Sequence, residues 1–137
     1  MIFNQVSSWL WQGNSPAAII PPAVALILNT APPDLRYMTA RIYLGMPVLP
    51  NGEGLNGKKL TTMLRFCQEH KPYGIHVICN DGISVSPAIC VLALQVLDGM
   101  ELPKAVELVK RLNPFARMTD DLRSVIKEAA GLEIHLA

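Results

Sequence analysis

The residue types that could do chemistry gather in one segment, His76-Val77-Ile78-Cys79-Asn80-Asp81-Gly82-Ile83-Ser84-Val85-Ser86-Pro87. Val77 and Ile78 read as the end of an apolar strand. Ser86-Pro87 reads as a helix start, with Ser86 the N-cap and Pro87 at the first helical position. Cys79 then lies at the base of a short loop, Asn80 to Ser86, whose backbone N–H groups converge before a helix N-terminus. Such a cradle attracts anions and lowers a cysteine pKa. The chemistry open to it is oxyanion binding, thiolate chemistry on a bound group, or redox sensing at Cys79. A strand-end cysteine in another setting would be an inert core residue.

The elements that must hold this segment can be read in chain order. Trp9-Leu10-Trp11-Gln12 is expected as a short strand ended by a turn at Gly13-Asn14. The two tryptophans, two residues apart, share a face of it. Ser15 would cap a short helix through Pro16–Ile20, stopped by Pro21-Pro22. Val24–Asn29 is an apolar run suited to a strand buried on both faces. Ala40–Leu44 reads as another strand, and 46–57 as a loop rich in proline and glycine. Asn56 would cap a helix with Leu60, Met63, Leu64 and Cys67 on one stripe. Ile75–Cys79 is the strand feeding the cysteine loop.

The helix expected over Pro87–Asp98 is apolar nearly all round, which places it at the centre of the domain, and Gly99 ends it. Pro103 starts a further helix that Pro114 breaks. Thr119 caps the last one, whose dipole Asp120 and Asp121 complement, and Gly131 ends it. Strands alternating with helices predict an α/β fold. The expected form is a three-layer sandwich with a mostly parallel central sheet flanked by helices and the cysteine loop at the C-terminal edge of a central strand.

The chain has 137 residues, half of them hydrophobic, which fits one domain over 1–137 with a sizeable core. A formal charge of +1 gives no reason to expect nucleic acid or an acidic membrane as partner. Cys67, Cys79 and Cys90 are too few and too widely spaced for a disulfide framework or a metal site, so no cofactor is expected. A reducing, cytoplasmic setting is the simplest reading. No signal peptide is visible at Met1–Ser8, and the apolar stretches Ala17–Leu28 and Ile89–Leu97 fall short of the ~20 residues of a membrane helix. A soluble protein is expected.

The cysteine loop resembles the phosphate loop of the cysteine-dependent dual-specificity phosphatases, within the protein tyrosine phosphatase superfamily. Their pattern is His-Cys, five residues, then Arg-Ser. Cys79, Gly82 and Ser86 stand where that family has its cysteine, glycine and serine. Ile78 stands at its histidine and Val85 at its arginine. The likeness extends over nearly the whole chain. Trp9 to Asn14 is similar to the family's opening strand and turn, Leu26-Ile27-Leu28-Asn29-Thr30 to its second strand, and Tyr43-Leu44-Gly45-Met46-Pro47-Val48 to the strand leading into its general-acid loop.

The resemblance implies three chemical groups. A thiolate attacks phosphorus and forms a phosphocysteine. An arginine clamps two phosphoryl oxygens. An aspartate protonates the leaving oxygen. Cys79 takes the first position. Val85 cannot act as the second. Pro50 stands where the aspartate is expected, and neighbouring Asn51 carries no transferable proton.

Glu53, further along the same loop, is the candidate replacement acid; Arg117, before the last helix, is a candidate substitute cation. Each is otherwise an ordinary surface charge. His76 reads as a packing residue, and Cys67 and Cys90 as core. Asp81 would disfavour a phosphate dianion and raise the thiol pKa unless it turns to water.

The expected function is a pseudophosphatase. Its loop, Asn80, Asp81, Gly82, Ile83, Ser84, Val85 and Ser86, would bind a phosphorylated protein or a small anionic phosphate ligand. The alternatives are a weakly active cysteine-dependent phosphatase or phosphomonoester hydrolase, and a redox function at Cys79.

Overall fold

A computed structural model describes residues 3–14, 24–28 and 42–136. The expected helix over 16–20 lies outside these residues, as do the ends of two expected strands at 29 and 40–41. The sheet contains β1 (Phe3–Gln5), β2 (Leu10–Asn14), β3 (Val24–Leu28), β4 (Ile42–Gly45) and β5 (Ile75–Cys79). Their spatial order is β1-β2-β5-β3-β4. Only the β1–β2 pair is antiparallel; β2–β5, β5–β3 and β3–β4 are parallel. The described helices are α1 (Gly57–His70), α2 (Val85–Asp98), α3 (Leu102–Leu112) and α4 (Asp120–Ala130). The architecture is α/β, a mixed sheet with a parallel core.

β5 is the central strand, and all five of its residues are buried. Parallel strands covered on both faces read as near-continuous apolar runs, which is the pattern of Ile75–Cys79, broken only by His76. α2 packs on β2 and β5, α1 and α3 pack on α2, and α4 packs on α1. The first ten residues of α2, Val85 to Leu94, are all buried, as a helix apolar on every side requires. The helix ends follow local chemistry. The Asn56 side chain accepts the Lys59 N–H at 2.8 Å and that of Thr119 the Leu122 N–H at 3.0 Å, while Gly99 and Gly131 close α2 and α4 in left-handed conformation.

Two sequence expectations need correction. Gly13-Asn14 does not turn the chain. Both residues continue β2, with Gly13 beside Ile78 and Asn14 beside Cys79. The cysteine loop lies directly against them, and the Ser86 hydroxyl donates to the Gly13 carbonyl at 3.2 Å, so tertiary contacts override the local turn preference. The second concerns α2, which begins at Val85 with Ser84 as its N-cap, ahead of the expected Ser86-Pro87 start. Ser84 makes no side-chain capping bond, because its hydroxyl is drawn to Asp81. The strand β1 had no sequence signal, being three residues of mixed polarity.

At the rim, the Trp9 indole N–H donates to both Asp98 carboxylate oxygens at 3.1 and 2.9 Å. Lys71 closes on the same carboxylate at 2.6 Å. The start of β2 is thereby tied to the end of α2.

Candidate active site

β5 delivers Cys79 to the C-terminal edge of the sheet, and α2 leaves from the same point. The chain between them curls around the sulfur. The Gly82 N–H donates to Cys79 Sγ at 3.2 Å and the Ser86 N–H at 3.4 Å. The Ser86 hydroxyl lies 3.1 Å from the sulfur. The tight curve depends on Gly82, whose φ is +69°, and a Cβ there would stand 2.6 Å from the Asn14 Cβ. Both the backbone conformation and the close approach exclude a side chain.

A buried polar clamp holds the loop from behind. The Gly82 carbonyl accepts from Gln12 Nε2 at 2.7 Å and from Asn113 Nδ2 at 2.9 Å. Gln12 Nε2 also donates to Ser86 Oγ at 2.9 Å, and Asn113 Nδ2 donates to Gln12 Oε1 at 3.1 Å. Gln12 is fully buried and Asn113 nearly so. A buried amide is stable only when its donors and acceptors are matched, and each of these matches the other as well as the loop. The Arg117 N–H adds a bond to the Ile83 carbonyl at 2.7 Å. Gln12 and Asn113 are the residues that sequence reasoning missed. The available signal was a polar residue inside an otherwise buried strand and an asparagine at the end of α3.

Asp81 does not turn to water. Its Oδ1 accepts the Ile83 N–H at 2.9 Å and the Ser84 N–H at 3.2 Å. The Ser84 hydroxyl reaches both carboxylate oxygens, at 3.0 and 2.9 Å. Cys79 Sγ lies 3.3 Å from Oδ1 and 3.1 Å from Ser86 Oγ, and its single proton can be donated to either. The cavity over the thiol amounts to about 10 Å³, with Leu28, Val48, Pro50, Asp81 and Val85 among its walls. That is room for no more than one water.

Burial pushes the Cys79 thiol above its ordinary pKa; the Ser86 hydroxyl and N–H and the Gly82 N–H pull the other way, and the Asp81 charge adds to the rise. The net direction is upward, opposite to the sequence expectation for a cysteine in such a cradle. Thiolate stabilisation by the loop is outweighed first by burial, which penalises the charged sulfur, and then by the Asp81 carboxylate beside it. Cys67 is likewise pushed up by burial, to about 12.

Val85 is 1% exposed and forms part of the cavity wall beside the thiol. Its side chain donates no hydrogen bond, so it presents only apolar surface there. Pro50 reaches the same cavity from the loop after β4. Glu53 is exposed and is not among the residues lining the cavity. The turn that carries it is internally bonded, Leu49 N–H to the Glu53 carbonyl at 2.9 Å and Gly52 N–H to the Leu49 carbonyl at 2.8 Å. Arg117 contributes its backbone to the loop, is exposed, and is not among the residues lining the cavity. Asn80 is exposed as well. His76 is buried in mid-strand, where burial lowers its pKa to about 4 and keeps it neutral. The structure therefore brings Cys79, Asp81, Ser84, Val85 and Pro50 together and leaves Glu53 and Arg117 outside. Among the described residues no cluster of metal-ligating side chains occurs, and no helix is long and apolar enough to cross a membrane.

No family model matches the sequence, and comparison with curated proteins finds no match. Solved structures do match. Human DUSP28 superposes with a TM-score of 0.78 at 19% identity, over 94% of this chain and 93% of that one. A mouse protein assigned to the dual-specificity phosphatases, solved with zinc tungstate, gives 0.80 at 22% identity over 94% and 86%. Tk-PTP in its active form gives 0.76 at 19% identity over 94% and 96%. The fold along nearly the whole chain is that of the dual-specificity phosphatases.

Proposed function

We propose that this chain, which carries the dual-specificity phosphatase fold, is a pseudophosphatase. It engages a phosphorylated or otherwise anionic partner at the Cys79–Ser86 loop without hydrolysing it. The observation that carries this reading is Val85, buried beside the thiol where the fold's chemistry calls for a cation. Transition-state charge on a transferring phosphoryl group needs preorganised donors, and loss of one typically costs about 10²–10³ in rate. Loss of a general acid costs about 10²–10⁴ more, so the two multiply to roughly 10⁴–10⁷ if independent. The raised thiol pKa acts in the same direction, since the thiolate is the nucleophile.

The hydrolase alternative lacks support from Glu53 and Arg117, which are both exposed and are not among the residues lining the cavity over Cys79. A redox role is disfavoured by a thiol only 3% exposed and held above its usual pKa. Support for a phosphate-type ligand comes from the fold and from the relative solved with tungstate, a tetrahedral oxyanion like phosphate. The test is a titration of the full chain with phosphotyrosine peptides, whose flanking residues can make contacts outside the loop, followed by NMR, with inorganic phosphate assayed in the same samples. Saturable shifts at Cys79–Ser86 without phosphate release are expected. Release dependent on Cys79 would overturn the reading.

A further inference from the structure

We propose that Asp81 is an internal oxyanion: its carboxylate occupies the anion position of its own loop, and an external oxyanion enters only by displacing it. This rests on the reading of Cys79–Ser86 as a degenerate phosphate loop and names the residue that sets what the loop admits.

The groups facing the carboxylate are those an external anion would use. The Ile83 and Ser84 N–H groups donate to Oδ1 at 2.9 and 3.2 Å, at the N-terminus of α2, where negative charge is favoured. The Ser84 hydroxyl, which would ordinarily cap the helix, turns to the carboxylate instead. The thiol sulfur lies 3.3 Å from Oδ1, within reach of a hydrogen bond. A local turn would need only the backbone bonds; the convergence of the serine hydroxyl and the thiol marks the centre of the cradle.

The remaining space, about 10 Å³, has no room for a tetrahedral oxyanion. Asp81 itself is half-buried, so a rotation about χ1 carries its carboxylate to solvent and frees both N–H groups without moving the backbone. Among the described residues no cation lines the cavity to balance a second negative charge, so a phosphate dianion and the Asp81 carboxylate disfavour each other there. The loop is thus closed to weakly held anions. A ligand opens it only if its contacts elsewhere hold it in place while the carboxylate leaves.

The test measures tungstate binding by calorimetry on the full chain and on Asp81→Ala and Asp81→Asn, with thermal melts to establish that each is folded. Asp81→Ala is expected to bind tungstate about tenfold to a hundredfold tighter than the wild type. Asp81→Asn, which keeps the acceptor and loses the charge, is expected to fall between. Alkylation of Cys79 supplies a second readout. Removing the carboxylate should speed the anionic reagent iodoacetate more than the neutral iodoacetamide, whereas general loosening of the loop would speed both equally.

Unchanged tungstate affinity in a folded Asp81→Ala or Asp81→Asn, or equal acceleration by both reagents, overturns the proposal. Adding Val85→Arg to Asp81→Ala then separates the two levels. If that double variant binds tungstate while Asp81→Ala does not, the phosphate-loop reading stands and the internal oxyanion falls. If neither binds, both fall.

Discussion

Placing a cation in the loop by Val85→Arg should fail on its own to strengthen anion binding, and the reason lies in Asp81. Val85 is 1% exposed, and its cavity holds about 10 Å³, so a guanidinium can be placed only toward the mouth. Asp81 stands on the wall of the same cavity, and its carboxylate is the nearest anion available. Charge-assisted hydrogen bonds contribute about 1.5–3 kcal/mol. An external oxyanion would have to break that pairing, at a cost of about tenfold to a hundredfold in affinity. Val85→Arg alone should therefore bind tungstate within about threefold of the wild type. It should also melt lower, having lost a buried isopropyl group worth about 1.5–3 kcal/mol. Combined with Asp81→Ala, the same arginine is free to fork onto the anion. The double variant should then exceed the product of the two single effects by a coupling of about 1.5–3 kcal/mol. The assay is the tungstate dissociation constant of the four proteins, read as a double-mutant cycle. Single effects that add within about 0.5 kcal/mol would refute the reasoning, since independent sites behave that way.

Three further outcomes are expected. Gln12→Leu leaves Ser86 and Asn113 short of partners behind the loop and should cost about 1–3 kcal/mol, a melting drop of about 3–10 °C, seen by calorimetry. His76, lowered by burial from 6.5 to about 4, takes up its proton more readily unfolded than folded. Its contribution to stability is therefore complete above pH 6.5 and is lost as the pH falls toward 4. Chemical denaturation at pH 7 and pH 4.5 should show a loss of about 2–3 kcal/mol from this group, absent in His76→Leu. Cys79, buried and pushed up in pKa, should react with iodoacetamide at pH 7.5 at least about tenfold more slowly in the native protein than after denaturation, followed by mass spectrometry.

The central part of the fold was legible because period, length and punctuation agree there. Ile75–Cys79 and α2 are predominantly apolar runs separated by one glycine-containing loop, and α2 packs on β5. Asn56 and Thr119 acted as caps because capping is decided within three residues. Long-range contacts were not legible. Gly13-Asn14 carries a turn signal, and pairing with β1 and β5 together with packing against Gly82 and Ser86 keeps it in β2. Gln12 and Asn113 are 101 positions apart, and no local pattern announces that they share a carbonyl. Residue types raised the expectation of a loop with Val85 and Pro50 where a cation and an acid would stand. The direction taken by the Asp81 side chain, inward onto two N–H groups and the thiol, depends on geometry that spacing does not encode.

The measurement that bears most directly on the central claim is steady-state release of p-nitrophenol from p-nitrophenyl phosphate by the wild type and by Cys79→Ser, side by side. Two equal rates, indistinguishable from background, are predicted. Turnover at ordinary enzymatic rates, about 1 s⁻¹ or more, abolished by Cys79→Ser, would contradict the account.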